Sequence, residues 1–336
     1  MADSSDWTSR TALITGIGGF IGSALAQALV EKGARVVGVI RDFTDVRLLE
    51  VRGVLDRVNL VRGSINDPGL VERALNEYEV DTLFHLAAQS LVGVANRSPV
   101  STFETNVAGT WNVLEAARRI PVERIVVASS DKAYGSQPDL PYTEQSPLAG
   151  SFPYDVSKTC ADVIAHSYAV SYELPVAIIR CANTYGAGDL NWTRLIPGTI
   201  RSGLNGESPV IRSDGTPERD YLYLDDAVDA YLRLANALPQ VAGEAFNAGS
   251  GLAVGVLDLV EQVLSLTGGS TAPRVLGQAS REIDRQFLDS TKAREMLGWT
   301  AGTELSSGLR KAVDWYRSYL SGKPPFQSPA RSEAAD

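Results

Sequence analysis

Ser130, Asp131, Lys132, Tyr154 and Lys158 are the residues of this chain whose types and spacing can do acid–base chemistry. Tyr154 and Lys158 stand four apart, which on a helix puts both on one face. A phenol titrates near pH ~10, and a lysine ammonium beside it stabilises the phenolate, so Tyr154 reads as a base toward a hydroxyl. Ser130 can hydrogen-bond the same oxygen. Asp131 and Lys132 add an acid and an amine, and the amine becomes a base where burial or a neighbouring cation lowers its hold on the proton. The plain alternatives are a helix-surface tyrosine–lysine pair and an Asp131–Lys132 ion pair closed on itself. The elements that carry these residues decide between them.

An apolar run over 124–128 reads as a buried strand, which places Ser130, Asp131 and Lys132 just past its C-terminal end, where open parallel sheets keep their ligands. A helix over 153–173 begins at Pro153, a residue suited to a first helical turn, and carries Tyr154 and Lys158. The N-terminal part has its own signal. A strand over 10–15 runs into Gly16-Ile17-Gly18-Gly19-Phe20-Ile21-Gly22, followed by a helix over 23–32, Gly33 and a second strand over 34–40. That is the setting a dinucleotide fingerprint requires. Gly16, Gly19 and Gly22 fit G-x-x-G-x-x-G, letting the backbone approach a pyrophosphate at a helix N-terminus and letting helix and strand pack closely. Further strands are expected over 58–61, 82–86 and 176–180, with helices over 68–78 and 101–119. Strands alternating with helices imply an α/β fold, a Rossmann-type doubly wound parallel sheet. Beyond Cys181 the chain is richer in Gly, Pro and Arg, with helices over 225–237 and 256–266, and reads as a smaller C-terminal substrate-binding lobe. The expected division is 10–181 for the dinucleotide-binding domain, with later segments returning to it, and 182–322 for the lobe. Residues 1–9 and 323–336 are expected to be flexible termini.

At 336 residues and 44% hydrophobic content the chain can bury a substantial core. A net charge of −9 excludes nucleic acid and an anionic membrane surface as main partners. Cys160 and Cys181 make no disulfide framework, and with His85 and His166 they form no metal-ligand cluster. No apolar run reaches membrane-spanning length, so a cytoplasmic enzyme is expected.

Several motifs together resemble the extended short-chain dehydrogenase/reductases, specifically the nucleotide-sugar epimerase and dehydratase family. They are Thr15 to Gly22, His85-Leu86-Ala87-Ala88-Gln89, Asn106-Val107-Ala108-Gly109-Thr110, the Ser130, Tyr154 and Lys158 set, Arg180 to Gly186, Arg219-Asp220-Tyr221 and Leu297-Gly298-Trp299. The resemblance spans 11–299. It implies that Phe20 and Ile21 join the glycines at the cofactor, with Ile65, Leu86, Ala87, Ala88, Gln89, Asn106, Tyr154 and Lys158, and with Ser64 standing where the family often has an aspartate near the adenine. It also implies nucleotide-sugar contacts at Gln89, Ser90, Asn183, Asn191, Arg194, Leu195, Arg212, Arg219 and Arg285, with Arg219 on the diphosphate. His85, at the end of an apolar strand, reads as a packed histidine instead of an acid–base group.

The subgroup turns on Asp131 and Lys132. Simple 4-epimerases generally lack an acid there, whereas Ser130-Asp131-Lys132 resembles the Thr-Asp-Lys of CDP-glucose 4,6-dehydratases, and 188–197 has the same flavour. GDP-mannose 4,6-dehydratases look similar at Arg41. A dehydratase is therefore expected, with an epimerase as the alternative and a non-catalytic dinucleotide sensor as a remote one. The intact Ser130, Tyr154 and Lys158 argue against a sensor. Asp42, about twenty residues past the glycines, favours the ribose of NAD, while Arg41 leaves NADP possible. In relatives the helices matching 101–119 and 153–173 form a four-helix bundle with a symmetry mate, which implies a homodimer; Val163 and Tyr168 are the apolar residues expected to face outward.

Overall fold

The computed structural model of the chain describes residues 6–42, 46–269, 271–278 and 283–322. Most of the two expected flexible termini, 1–5 and 323–336, lies outside these residues. The rest of the N-terminal segment is anchored: Trp7 is buried in the core, 6.2 Å from the Phe84 ring, with the Arg10 guanidinium 4.5 Å from its own ring. An indole that can reach the core has more to gain there than the polar residues around it have to lose.

In chain order the elements are β1 (Thr11–Thr15), α1 (Phe20–Glu31), β2 (Arg35–Ile40), α2 (Arg47–Val51), β3 (Val58–Arg62), α3 (Pro68–Glu77), β4 (Thr82–His85), α4 (Val92–Arg97), α5 (Pro99–Phe103) and α6 (Gly109–Arg119). They continue with β5 (Arg124–Ser130), α7 (Pro153–Tyr172), β6 (Val176–Cys181), β7 (Asn183–Tyr185), α8 (Leu195–Leu204), β8 (Val210–Ile211), β9 (Glu218–Arg219), β10 (Tyr221–Tyr223) and α9 (Leu224–Ala237). The last are β11 (Ala245–Ala248), β12 (Val254–Gly255), α10 (Val256–Thr267), β13 (Arg274–Val275), β14 (Arg285–Gln286), α11 (Thr291–Leu297) and α12 (Leu305–Leu320).

Seven strands form one parallel sheet in the order β11-β6-β5-β4-β1-β2-β3. The order reverses between β1 and β4, and a doubly wound sheet opens its ligand crevice at the carboxyl ends of such a pair. Alternate residues of each strand feed two cores. Ile14, Phe84, Val126 and Ile179 pack with Leu25 of α1 and Tyr231 of α9. Leu13, Leu83, Ile125 and Ile178 pack with Val71 of α3 and Val113 of α6. Both faces are covered, which is why the strands read as continuous apolar runs. A third core around Tyr185, Ile196, Leu259, Leu309 and Tyr316 belongs to the C-terminal part, whose remaining strands form three small sheets. β11 returns to the main sheet beside β6. Arg52, buried, ties the halves together by donating to Ser23 Oγ and Gln27 Oε1 of α1 and to the Ala187 carbonyl beyond β7.

Three elements differ from the sequence expectation by more than one residue, each for a local reason. The first helix starts at Phe20 instead of Ser23, because the Ser23 hydroxyl bonds back to the Phe20 carbonyl and Gly19 takes the cap position. β5 runs on to Ser130, so the serine closes the strand and Asp131–Tyr134 forms a 3₁₀ turn. The helix expected over 101–119 is broken: α5 restarts at Pro99, and a π turn over Glu104–Ala108 precedes α6. Such a wide turn admits an extra residue and commonly marks a working site.

Candidate active site

The glycine turn follows β1 directly. Gly16 has φ +73°, and a Cβ there would come within 2.9 Å of the Ala87 backbone; one at Gly22 would lie 2.2 Å from the Gly16 carbonyl. Only glycine fits either place. No side chain caps the start of α1, so its first N–H groups remain available to an anion. This cradle suits a dinucleotide pyrophosphate. At the end of β2, Arg41 and Asp42 are exposed and paired with each other at 2.9 Å. Beyond β3, Ser64 Oγ accepts from Asn66 N, and Ile65 is buried against Gly109.

The loop after β4 is held from both sides. Leu86 N donates to the Thr15 carbonyl and Ala87 N to Thr15 Oγ1, with Ala88 next along the same stretch. Gln89 N donates to Asn106 Oδ1 at 2.7 Å, and Asn106 Nδ2 returns a bond to the Gln89 carbonyl and another to Ser157 Oγ. Asn106 stands in the π turn, fully committed to this loop and to helix α7. His85 lies just behind. Thr110 Oγ1 donates to the Asn106 carbonyl, so its oxygen accepts from His85 Nε2–H at 3.0 Å; Nδ1 then accepts from Thr15 Oγ1 at 2.8 Å. Burial, with Lys158 nearby, pulls His85 down to about 3, so the ring is a neutral staple.

Ser130, Asp131, Lys132 and Tyr154 come together at the end of β5. Ser130 Oγ donates to Asp131 Oδ1 at 3.0 Å and hydrogen-bonds the Tyr154 phenol. Asp131 is buried, and the Lys132 ammonium stands 3.4 Å from its Oδ2. The ion-pair alternative is therefore present in the geometry, but inside the cluster instead of on a surface loop. Burial pushes Tyr154 up to about 12, and the Ser130 hydrogen bond works against this. Lys158 donates to the Ala128 carbonyl at 2.8 Å, and burial draws it down to about 8. Its ammonium thus reaches the strand end and not the phenol, which differs from the expectation of a phenolate-stabilising pair in the protein alone. Burial also lowers Lys132; Asp131 opposes this and Arg219 reinforces it.

Two residues of this cluster were not singled out from the sequence. Asp155, buried beside Tyr154, is pushed up to about 6 by burial, with Lys132 opposing. Gln286, fully buried on β14, accepts from the Lys132 ammonium and donates to the Asp131 carbonyl. Asp155 could have been flagged as a carboxylate inside the Tyr-x-x-x-Lys helix. A glutamine in a two-residue strand gives no signal.

From the C-terminal side, Asn183 on β7 donates to the Asp220 carbonyl, and Arg219 on β9 donates to the carbonyls of Glu218 and Asp284. Arg194 pairs with buried Asp189 at 2.9 Å and reaches Ser90 Oγ at 3.1 Å, linking the lobe to the loop after β4. Asn191 receives the Thr193 N–H and hydroxyl, and Leu195 opens α8. Arg285 and Arg212 are not brought to the cluster. Arg285, one residue from Gln286 and so on the opposite strand face, pairs with Glu218 and lies over the Phe287 ring. Arg212 is exposed beyond β8, its carbonyl taking the Gln278 N–H.

Residues 12–249 match the model of the NAD dependent epimerase/dehydratase family. The chain belongs to that family. It is 32% identical to a UDP-glucose 4-epimerase of Mycolicibacterium smegmatis, covering 91% of this chain and 98% of the relative. It is 29% identical to a CDP-glucose 4,6-dehydratase of Salmonella typhimurium, over 96% and 95% of the two chains. Among solved structures, dTDP-glucose 4,6-dehydratase of Streptomyces venezuelae, with NAD bound, superposes with a TM-score of 0.84 at 29% identity, covering 94% of this chain and all of the other (100%). Epimerases and dehydratases thus stand at similar distance, and the family is NAD-dependent with nucleotide-sugar chemistry. Among the described residues there is no metal-binding group of His, Cys, Asp or Glu, and no helix long and apolar enough to cross a membrane.

Proposed function

We propose that this family member is a nucleotide-sugar 4,6-dehydratase, turning an NDP-hexose of the CDP-glucose kind into its 4-keto-6-deoxy product. The observation that carries the reading is the placement of Asp131 and Lys132. Both share one cluster with Ser130 and Tyr154, in which Asp131 is buried and the other three are half-buried. A simple 4-epimerase needs only the serine, the tyrosine and Lys158.

Gly16, Gly19 and Gly22 would hold the cofactor's pyrophosphate, Asp42 its ribose, and Lys158 its nicotinamide end. When bound, the nicotinamide supplies the redox half of the chemistry, taking the C4 hydrogen and returning it at C6. Tyr154 removes the C4 hydroxyl proton while Ser130 donates to the same oxygen. A C4 ketone acidifies the C5 hydrogen, which Lys132 as a neutral amine can take, and Asp131 delivers a proton to the departing C6 hydroxyl. Arg219 and Asn183 are assigned to the diphosphate, with Gln89, Ser90, Asn191, Arg194 and Leu195 around the sugar and nucleotide.

The alternative is an NAD-dependent 4-epimerase, favoured by one feature: Asp131 and Lys132 stand 3.4 Å apart as an ion pair. Incubation with CDP-, GDP-, dTDP- and UDP-sugars separates the two by product mass. Loss of water from one of them is expected. Unchanged mass with inverted stereochemistry would establish the epimerase instead.

A further inference from the structure

The Lys132 ammonium is not held by Asp131 alone. It stands 3.4 Å from Asp131 Oδ2 and also donates a hydrogen bond to Oε1 of Gln286. Gln286 Nε2 donates to the Asp131 backbone carbonyl at 2.7 Å. A carboxamide has one donor end and one acceptor end, so committing the nitrogen to Asp131 leaves the oxygen facing Lys132. The carboxamide is itself rigidly seated. Gln286 is fully buried and pairs with Arg219 of β9, while the next carbonyl, Phe287, accepts the Tyr142 N–H at 3.0 Å.

The charged and titratable groups around the Lys132 amine come from several elements. Asp131 lies on its own turn, Asp155 on α7 and Arg219 on β9, and the Asp131 charge in turn raises Tyr154 of α7 and, among groups farther off, Tyr142 and Cys181. Gln286 is the neutral contact among them. An amine can donate to an amide oxygen whether it carries two hydrogens or three, whereas a carboxylate at the same place would lock the third proton on.

We propose that Gln286 is the positioning residue of Lys132, fixing the amine against Asp131 through an uncharged acceptor that leaves it free to shed its proton. Its part in the reaction rests on the dehydratase reading; the placement and the charge effect do not.

The test follows the Lys132 amine directly. Cofactor-loaded protein with lysine labelled at the ε-carbon is titrated by NMR from about pH 5 to about pH 11, a range that spans the lysine transition and its lowered forms. The Lys132 resonance is identified by its absence in Lys132→Arg. In Gln286→Glu the Lys132 transition moves up by about one unit or more, as for any amine given a carboxylate neighbour. In the near-isosteric Gln286→Met it moves down, because the charged form loses a hydrogen bond. Opposite displacements are not produced by a merely structural role, and either variant suffices if the other does not fold. Coincident titrations in wild type and the folded variants would overturn the proposal. In turnover, the acid limb of the kcat profile for water loss rises with Gln286→Glu, slowing the reaction about tenfold per unit, while KM for the nucleotide sugar is unchanged. A wild type that never releases water removes the dehydratase reading and leaves the titration to decide on Gln286. Water loss with unmoved titrations removes the inference alone.

Discussion

Tyr154 shows how far a sequence motif goes and where burial takes over. The four-residue spacing to Lys158 says that the two side chains share a helix face, and they do. It does not say that the lysine will be drawn to the Ala128 carbonyl, nor that the phenol will be pushed up to about 12 by burial. Those outcomes depend on what β5 and β6 place opposite α7, information spread across the chain. The roles of the cluster residues remain separable by substitution. Tyr154→Phe removes one hydroxyl, and turnover is expected to fall by about 10²–10⁴-fold with nucleotide-sugar affinity kept, since only a transition-state interaction is lost. Lys132→Ala spares oxidation at C4 but slows exchange of the C5 hydrogen with deuterated water by a similar factor. Near wild-type exchange in Lys132→Ala would return Lys132 to a spectator and favour the epimerase.

At the scale of elements, the glycine turn, the long strands and α7 were legible because each writes a local pattern: tight glycine spacing, apolar runs, a helix start at proline. The π turn over Glu104–Ala108 was not, since apolar periodicity is the same for a regular helix until Asn106 is seen bonding Gln89 and Ser157. Two-residue strands such as β9 and β14 leave no periodicity at all, so nothing local marks Gln286, whereas Arg285 beside it enters only through the family resemblance. His85 was read as packed, and its threonine partners explain the stability effect it should have. The ring staples β1, β4 and α6 together in the neutral form, held down at about 3 against an ordinary value near 6.5. Below pH ~6.5 an unfolded chain takes up a proton there that the folded one refuses, so unfolding is favoured as pH falls through that window. The term is fully stabilising at neutral pH and amounts to about 2 kcal/mol between pH 7 and pH 5. Urea midpoints measured at both pH values should converge for His85→Gln, whose amide can keep one donor and one acceptor, and diverge for wild type. Equal pH sensitivity of the two proteins would assign the acid lability elsewhere.

For the whole molecule, the sequence pointed to a parallel sheet with a second lobe, and the order β11-β6-β5-β4-β1-β2-β3 gives that sheet a single reversal beneath the glycine turn. The seventh strand could be anticipated only as a return of the chain, because β11 earns its place by pairing with β6 across a long sequence gap. The same non-local packing settles which helix residues face out. Val163 does, and Tyr168 is half-buried, its hydroxyl on Glu115 and its ring 5.2 Å from Tyr172. The most exposed apolar side chains on α6 and α7 are Trp111, Val163, Val170 and Tyr172. The resemblance implies that this face pairs with that of a second copy about a two-fold axis, each helix pair being half of a four-helix bundle. Val163 and Val170 lie seven residues apart, hence on one stripe of α7. In a two-fold interface every substitution is made twice, so a charge placed on that stripe is introduced on both sides of the contact. Wild type is expected to sediment as a dimer at micromolar concentration, and Val163→Asp with Val170→Asp as a monomer whose thermal transition remains cooperative. A wild type that sediments as a monomer would leave the stripe a solvent-facing patch and remove the bundle.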